Sequence, residues 1–254
     1  MAHYFDRNPE NKDLRSQTFI DLTTEISLLI KETGAFSQPF VSRDLPYFSL
    51  LSNAKKDDVI SSLESYLRIF APLKGQSSDL TNSYRVVWQA LKELELHAPS
   101  DFFSKLKDDY VIEIYSLEST QLFRNFKFFT CCSYSLEELC CRPWPELFDR
   151  DLESFEDLCS AVKNTFSGSS WESYSKPIKH FIREKDSLFK YEMNYFLLGA
   201  YPLKDRQGHV RATLVVEDAE LLKVPSPEEE EKIMLETMKR DFYYAARPIS
   251  LDHE

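Results

Sequence analysis

Glycine is scarce in this chain of 254 residues, with only five: Gly34, Gly75, Gly168, Gly199 and Gly208. A loop that cradles a phosphate needs several glycines close together, so that backbone N–H groups can reach the anion. No two glycines fall within such a loop, which sets aside P-loop and dinucleotide-binding readings. An excess of basic charge is also missing. The net charge is −11, which argues against non-specific binding to nucleic acid or to an anionic membrane and favours solubility. No apolar run approaches the ~20 residues that span a bilayer. Residues 1–13 are polar and charged, without the apolar stretch of a secretory signal. The expectation is a cytoplasmic protein with no nucleic-acid and no membrane partner.

Metal and catalytic signatures are lacking as well. The five cysteines include two adjacent pairs, Cys131-Cys132 and Cys140-Cys141, with Cys159 alone. Zinc ligands are usually spaced so that two turn toward one ion, whereas directly adjacent side chains point apart. No histidine cluster accompanies them, so they read as small buried hydrophobes and no metal is expected. An odd count in a cytosolic setting also speaks against a disulfide framework. There is no H-E-x-x-H and no G-x-S-x-G. Carboxylates are abundant but scattered, and the chain is not expected to be an enzyme.

What is present is a helical first part. Leu14–Thr33 carries Phe19, Leu22, Ile26, Leu29 and Ile30 on one stripe. Lys56–Phe70 repeats the pattern and ends before Pro72. Leu80–Leu96 does so again, with Asp79 placed to cap it. Each stripe needs cover, from a bundle, from the following sheet or from a second copy of the chain. Ala98-Pro99-Ser100 marks a boundary. The division expected is a helical region over residues 1–100, a sheet domain over 101–222, and a C-terminal helix and tail over 223–254.

The middle of the chain alternates between apolar and polar. Val111–Leu117 and Gln121–Arg124 read as short strands, Leu152–Phe166 as a helix, and Pro177–Glu184, Ser187–Tyr201 and His209–Glu217 as long strands. Tyr191, Met193, Tyr195 and Leu197 share one face. On the last strand Val210, Ala212, Leu214 and Val216 are opposed by Arg211, Thr213 and Glu217, and Asp205-Arg206-Gln207-Gly208 supplies the turn. Near the end, Ser226-Pro227-Glu228-Glu229 is a strong helix start. Met234, Met238 and Phe242 form a narrow apolar stripe on the helix that follows.

Tyr134-Ser135-Leu136-Glu137-Glu138-Leu139, then Arg142-Pro143-Trp144-Pro145-Glu146-Leu147-Phe148-Asp149, resembles the helical middle of PAS domains. Tyr201-Pro202-Leu203-Lys204-Asp205-Arg206-Gln207-Gly208-His209-Val210, ending in Val215-Val216-Glu217-Asp218, looks like the last hairpin of that family. The resemblance covers residues 110–221. It implies an α+β fold, a PAS-like antiparallel sheet with flanking helices, here preceded by the all-helical region. The glycine that commonly precedes Tyr-Ser in the family is Ser133 here.

The resemblance implies a signalling or regulatory module, without an output domain in these 254 residues, that binds a small ligand, a partner protein or both. The family layout puts a ligand between the inner sheet face and the long helix. Candidate lining residues are Ile114, Phe129, Leu158, Ile178, His180, Tyr191, Met193, Tyr195 and Leu214. Met234, Met238 and Phe242 are the candidates for contact with a signalling partner. A homodimer with Leu14–Thr33 in or near its interface is expected. A structural interaction module with a self-filled core is the first alternative, and a haem or flavin redox sensor the second. Trp144 stands where light-sensing relatives carry their reactive cysteine, which sets aside a covalent flavin adduct and leaves non-covalent flavin open. Leu152–Phe166 contains no histidine, so His180 reads as structural before it reads as a haem ligand.

Overall fold

The computed structural model describes residues 14–42, 44–74, 77–117, 120–167 and 178–246. Six strands form one antiparallel sheet: β1 (Val111–Ser116), β2 (Gln121–Arg124), β3 (Phe148–Arg150), β4 (Ile178–Glu184), β5 (Glu192–Lys204) and β6 (Val210–Lys223). Their order is β2-β1-β6-β5-β4-β3. The central hairpin is long, with 13 residues in β5 and 14 in β6, whereas the edge strands β2 and β3 have four and three. Its turn forms where expected. The Asp205 carboxylate accepts N–H bonds from Gln207 and His209, each at 2.9 Å, and Gly208 takes the left-handed conformation at φ 85° that favours glycine.

Eight α-helices accompany the sheet among the described residues. The first four are α1 (Leu14–Glu32), α2 (Asn53–Phe70), α3 (Ser77–Thr81) and α4 (Ser83–Glu93). The stretch Leu80–Leu96, expected as one helix, breaks at Asn82. The Asn82 side chain accepts the Arg85 N–H at 2.9 Å and starts a new helix. Asp79, expected as the cap, pairs instead with the Arg85 guanidinium at 2.5 Å. Next come α5 (Leu136–Cys141), α6 (Trp144–Leu147), α7 (Leu152–Ser167) and α8 (Pro227–Ala246). The start of α5 is a capping box in which Ser135 and Glu138 bond to each other's backbone N–H. Ser226 and Glu229 do the same for α8. None of the described α8 side chains is buried, and Met234 and Leu235 are exposed. The side chains of Met238 and Phe242 lie outside the described residues.

The sheet is covered on both faces. Residues directly opposite one another on neighbouring strands share a face. Ile112 and Ile114 of β1 pair with Val216 and Leu214 of β6, and Ile114 also faces Phe123. These side chains join one buried cluster with Phe19 and Ile26 of α1, Phe70 of α2 and Val87 of α4. The apolar stripes of α1 and α2 are largely covered within the chain, whereas Tyr84 and Trp88 on the stripe of α4 remain exposed.

The other face carries Glu113 opposite Val215 and Arg124, Glu217 opposite Leu197, and His180 opposite Tyr195. A bulge in β5 between Leu197 and Gly199 shifts the register, so that Ala200 returns to this face opposite Val215. No described helix is long and apolar enough to cross a membrane.

Candidate functional site

The polar-looking face of the sheet lies under α7. Leu158 and Ala161 of α7 pack on Ile178, Leu197, Ala200 and Val215, and the Thr165 and Thr213 hydroxyls meet at 2.9 Å. Beside this contact the helix stands off the sheet and leaves a cavity of about 560 Å³. That is within the range of small-molecule sites, ~300–1,000 Å³. Its apolar wall comes from Trp144, Phe155, Leu158, Val162, Phe166 and Val215, and its polar wall from Glu113, Arg150, His180, Tyr195 and Glu217.

The polar residues form an ordered set. Glu113 and Arg124 are both buried and pair at 2.9 Å. Glu113 also accepts the Tyr115 hydroxyl at 2.9 Å and the Gln121 amide at 2.7 Å. The Arg124 guanidinium lies 3.6 Å from the centre of the Phe128 ring. Arg150 lies 3.7 Å over the Trp144 ring and 5.5 Å from Phe148. Its Nε is buried without a hydrogen-bond partner, as is Nδ1 of His180. Burial works against the charge on Arg150. Burial and the nearby Arg150 charge push His180 down to about 4, so its imidazole is neutral at neutral pH.

Burial, then the Glu113 charge beside it, pushes the Glu217 carboxyl up to about 8. An unfolded chain releases that proton near the ordinary glutamate value of 4.5, so the folded state holds a proton that the unfolded state has lost. The contribution to stability is full below about pH 4.5 and disappears as pH rises toward about 8. His180 has the opposite sign: its contribution is present above about pH 6.5 and is lost as pH falls toward 4. Between pH 6.5 and 8 only Glu217 of the two acts. Urea unfolding should lose stability as pH rises across that interval. The same measurement on Glu217→Gln should show a smaller pH dependence.

Leu158, His180 and Tyr195, expected to line a ligand site, do line this cavity. Phe129 lines a second one of about 670 Å³, shared by α2, β2 and α5. Ile178 lies under Leu158 in the small cluster of apolar residues beneath α7. Tyr191 and Met193 are buried in the main core. Ile114 and Leu214 pair with each other on the opposite face of the sheet. The charged wall residues Glu113, Arg150 and Glu217 were not anticipated, because charges alternating along a strand read as a solvated face. A signal was present: Thr213 and Val215, small or apolar, sit between Arg211 and Glu217 on that same face.

Ser133 occupies a second buried polar site. Glu184 accepts N–H bonds from Ser133 at 2.8 Å and from Tyr191 at 3.0 Å, and hydroxyl bonds from Ser133 and Ser187 at 2.5 Å each. The Ser133 hydroxyl oxygen in turn accepts the Phe189 N–H at 3.0 Å. The Ser133 hydroxyl thus ties the start of α5 to the β4–β5 connection. Ser133→Gly should cost about 1–3 kcal/mol in urea unfolding, because it leaves a buried carboxylate and an N–H short of a partner.

Among the described residues no group of three or more His, Cys, Asp and Glu is placed to hold a metal ion. Burial pushes the thiols of Cys131 and Cys140 up, to about 12 and about 11, which makes them inert hydrophobes rather than nucleophiles. No protein-family model matches this sequence, and no curated protein matches it.

Proposed function

We propose that this chain is a PAS-like sensory module that binds a small organic ligand under α7 and passes the binding state to a partner protein. The observation that carries it is the cavity of about 560 Å³ with its buried charged wall. Buried charges without full pairing are costly, and a protein without use for a cavity fills it with side chains. The layout supports the same reading: two short strands, a helical middle, a helix laid across the sheet, then three longer strands. Glu217, on the cavity wall, belongs to the strand that leads into α8, with only residues 224–226 between the two elements. Binding under α7 would be felt by β6 and relayed to α8, whose exposed Met234 offers an adaptable contact.

Native mass spectrometry of the freshly purified chain, together with its visible spectrum, tests this. The expected result is a colourless protein carrying an extra small mass that is lost on denaturation, or one that accepts small organic molecules when they are added. A chain that carries and accepts nothing would be an interaction module with a self-filled core. Haem or flavin absorption bands would make it a redox sensor. Among the described residues His180 is the sole histidine on the wall, and its ring packs against that of Tyr195, 5.8 Å away, which fits a structural imidazole better than an iron ligand.

A further inference from the structure

We infer that the cavity under α7 takes a small amphipathic carboxylic acid, its carboxylate paired with Arg150 and its apolar body laid along α7. This deepens the proposal that the cavity is a ligand site and stands only if that proposal does. The polar end is chosen by which charges are already satisfied. Glu113 is held by Arg124, Tyr115 and Gln121, so no carboxylate there is left for a cationic ligand. Glu217 lies on the same sheet face as Glu113, and burial together with the Glu113 charge favours its neutral form, which weakens its hold on Arg150.

Arg150 is the cation on this wall without an ion pair. Among the described residues no carboxylate lies within bonding distance of it, Glu217 acting on it from farther away; its guanidinium carbon lies 3.7 Å from the centre of the Trp144 ring, and its Nε is unsatisfied. Lys163 adds a second positive group to the same wall. A planar guanidinium with an unsatisfied Nε matches a carboxylate, which accepts two parallel hydrogen bonds from such a fork. A neutral ligand would leave the half-buried cation without a counter-charge in contact.

The apolar end is chosen by α7. Leu158, Val162 and Phe166 recur every four residues along the helix, so they form one stripe facing the cavity. At 1.5 Å per residue that stripe runs for ~12 Å, the length of a medium alkyl chain or a substituted aromatic ring.

Three probes with the same tail and different heads separate the possibilities: octanoate, octan-1-ol and octylamine. They are titrated by calorimetry into the full chain, and into its Arg150→Gln and Arg150→Lys variants. Octanoate should bind the unaltered protein roughly tenfold or more tighter than octan-1-ol, as expected for a charge-assisted contact in a desolvated site. Arg150→Gln should erase that preference while octan-1-ol still binds, and Arg150→Lys should keep part of it. If octan-1-ol or octylamine equals or exceeds octanoate, or if Arg150→Gln keeps the preference, the carboxylate assignment is overturned while the ligand site survives. If no probe binds, the ligand site fails and takes this inference with it. Should Arg150→Gln not fold, the head-group comparison in the unaltered protein and in Arg150→Lys decides alone.

Discussion

Replacing Arg124 by methionine should lower the free energy of unfolding by about 3–5 kcal/mol, because it leaves the buried Glu113 without its counter-charge. The pair lies where the sheet turns its charged face inward, with Glu217 next to it. Water cannot easily take over the role of the guanidinium there. Replacing both partners, Glu113→Leu with Arg124→Met, should recover most of the loss, since no unpaired charge then remains. Urea unfolding of the single and double variants at neutral pH measures both. A single variant within 1 kcal/mol of the parent would mean that the Glu113 carboxylate is solvated, and would remove the basis for treating this wall as desolvated.

Phe70→Ala should cost a similar amount, about 3–5 kcal/mol, for a different reason. The Phe70 ring is fully buried, stacked on Phe126 at 4.1 Å and in contact with Tyr66 at 4.9 Å and Phe123 at 6.2 Å. It joins the end of α2 to β2 and to the 3₁₀ turn Phe126–Thr130, so its loss opens a void where helices and sheet meet. Chemical unfolding gives the cost. Ligand binding under α7 should be unaffected in the fraction that remains folded, because Phe70 is not on that cavity's wall. A loss below 1 kcal/mol would show that the neighbouring rings collapse into the space.

How far the sequence could be read depended on whether a signal was local. α1, α2, α7 and α8 carry their apolar stripes locally, α2 and α8 with a serine cap at the start, and were legible to within a few positions. The division of Leu80–Leu96 was not, because Asn82 and Asp79 are both good caps and the apolar spacing runs straight across the break. The alternation of Tyr191, Met193, Tyr195 and Leu197 was legible up to the bulge in β5 after Leu197, where one extra residue reverses the faces. The least legible feature was the site itself. A charge on alternate strand positions points to solvent only when nothing covers that side. Here α7, distant in sequence from β1 and β6, covers it. Glu113 and Glu217 therefore looked like surface residues and are cavity walls. The helices from the first hundred residues cover the opposite face, which is why Ile114 and Leu214 belong to a core and not to a pocket.

The two outermost strands of the sheet are its shortest. A strand open on one side is a template on which another chain can add backbone hydrogen bonds. Here those templates are four residues and three residues long, or roughly 13 Å and 10 Å of backbone at ~3.3 Å per residue. The long strands are paired on both sides over only part of their length: β4 meets β5 over Glu192–Leu197, and β1 meets β6 over Ala212–Glu217. Among the described residues the longest free strand sides therefore belong to the central hairpin, at opposite ends of it, and the one beside the turn is closed at its tip by the His97–Lys204 bridge. A chain that adds backbone hydrogen bonds to the native sheet would do so there, and not at the short outer strands.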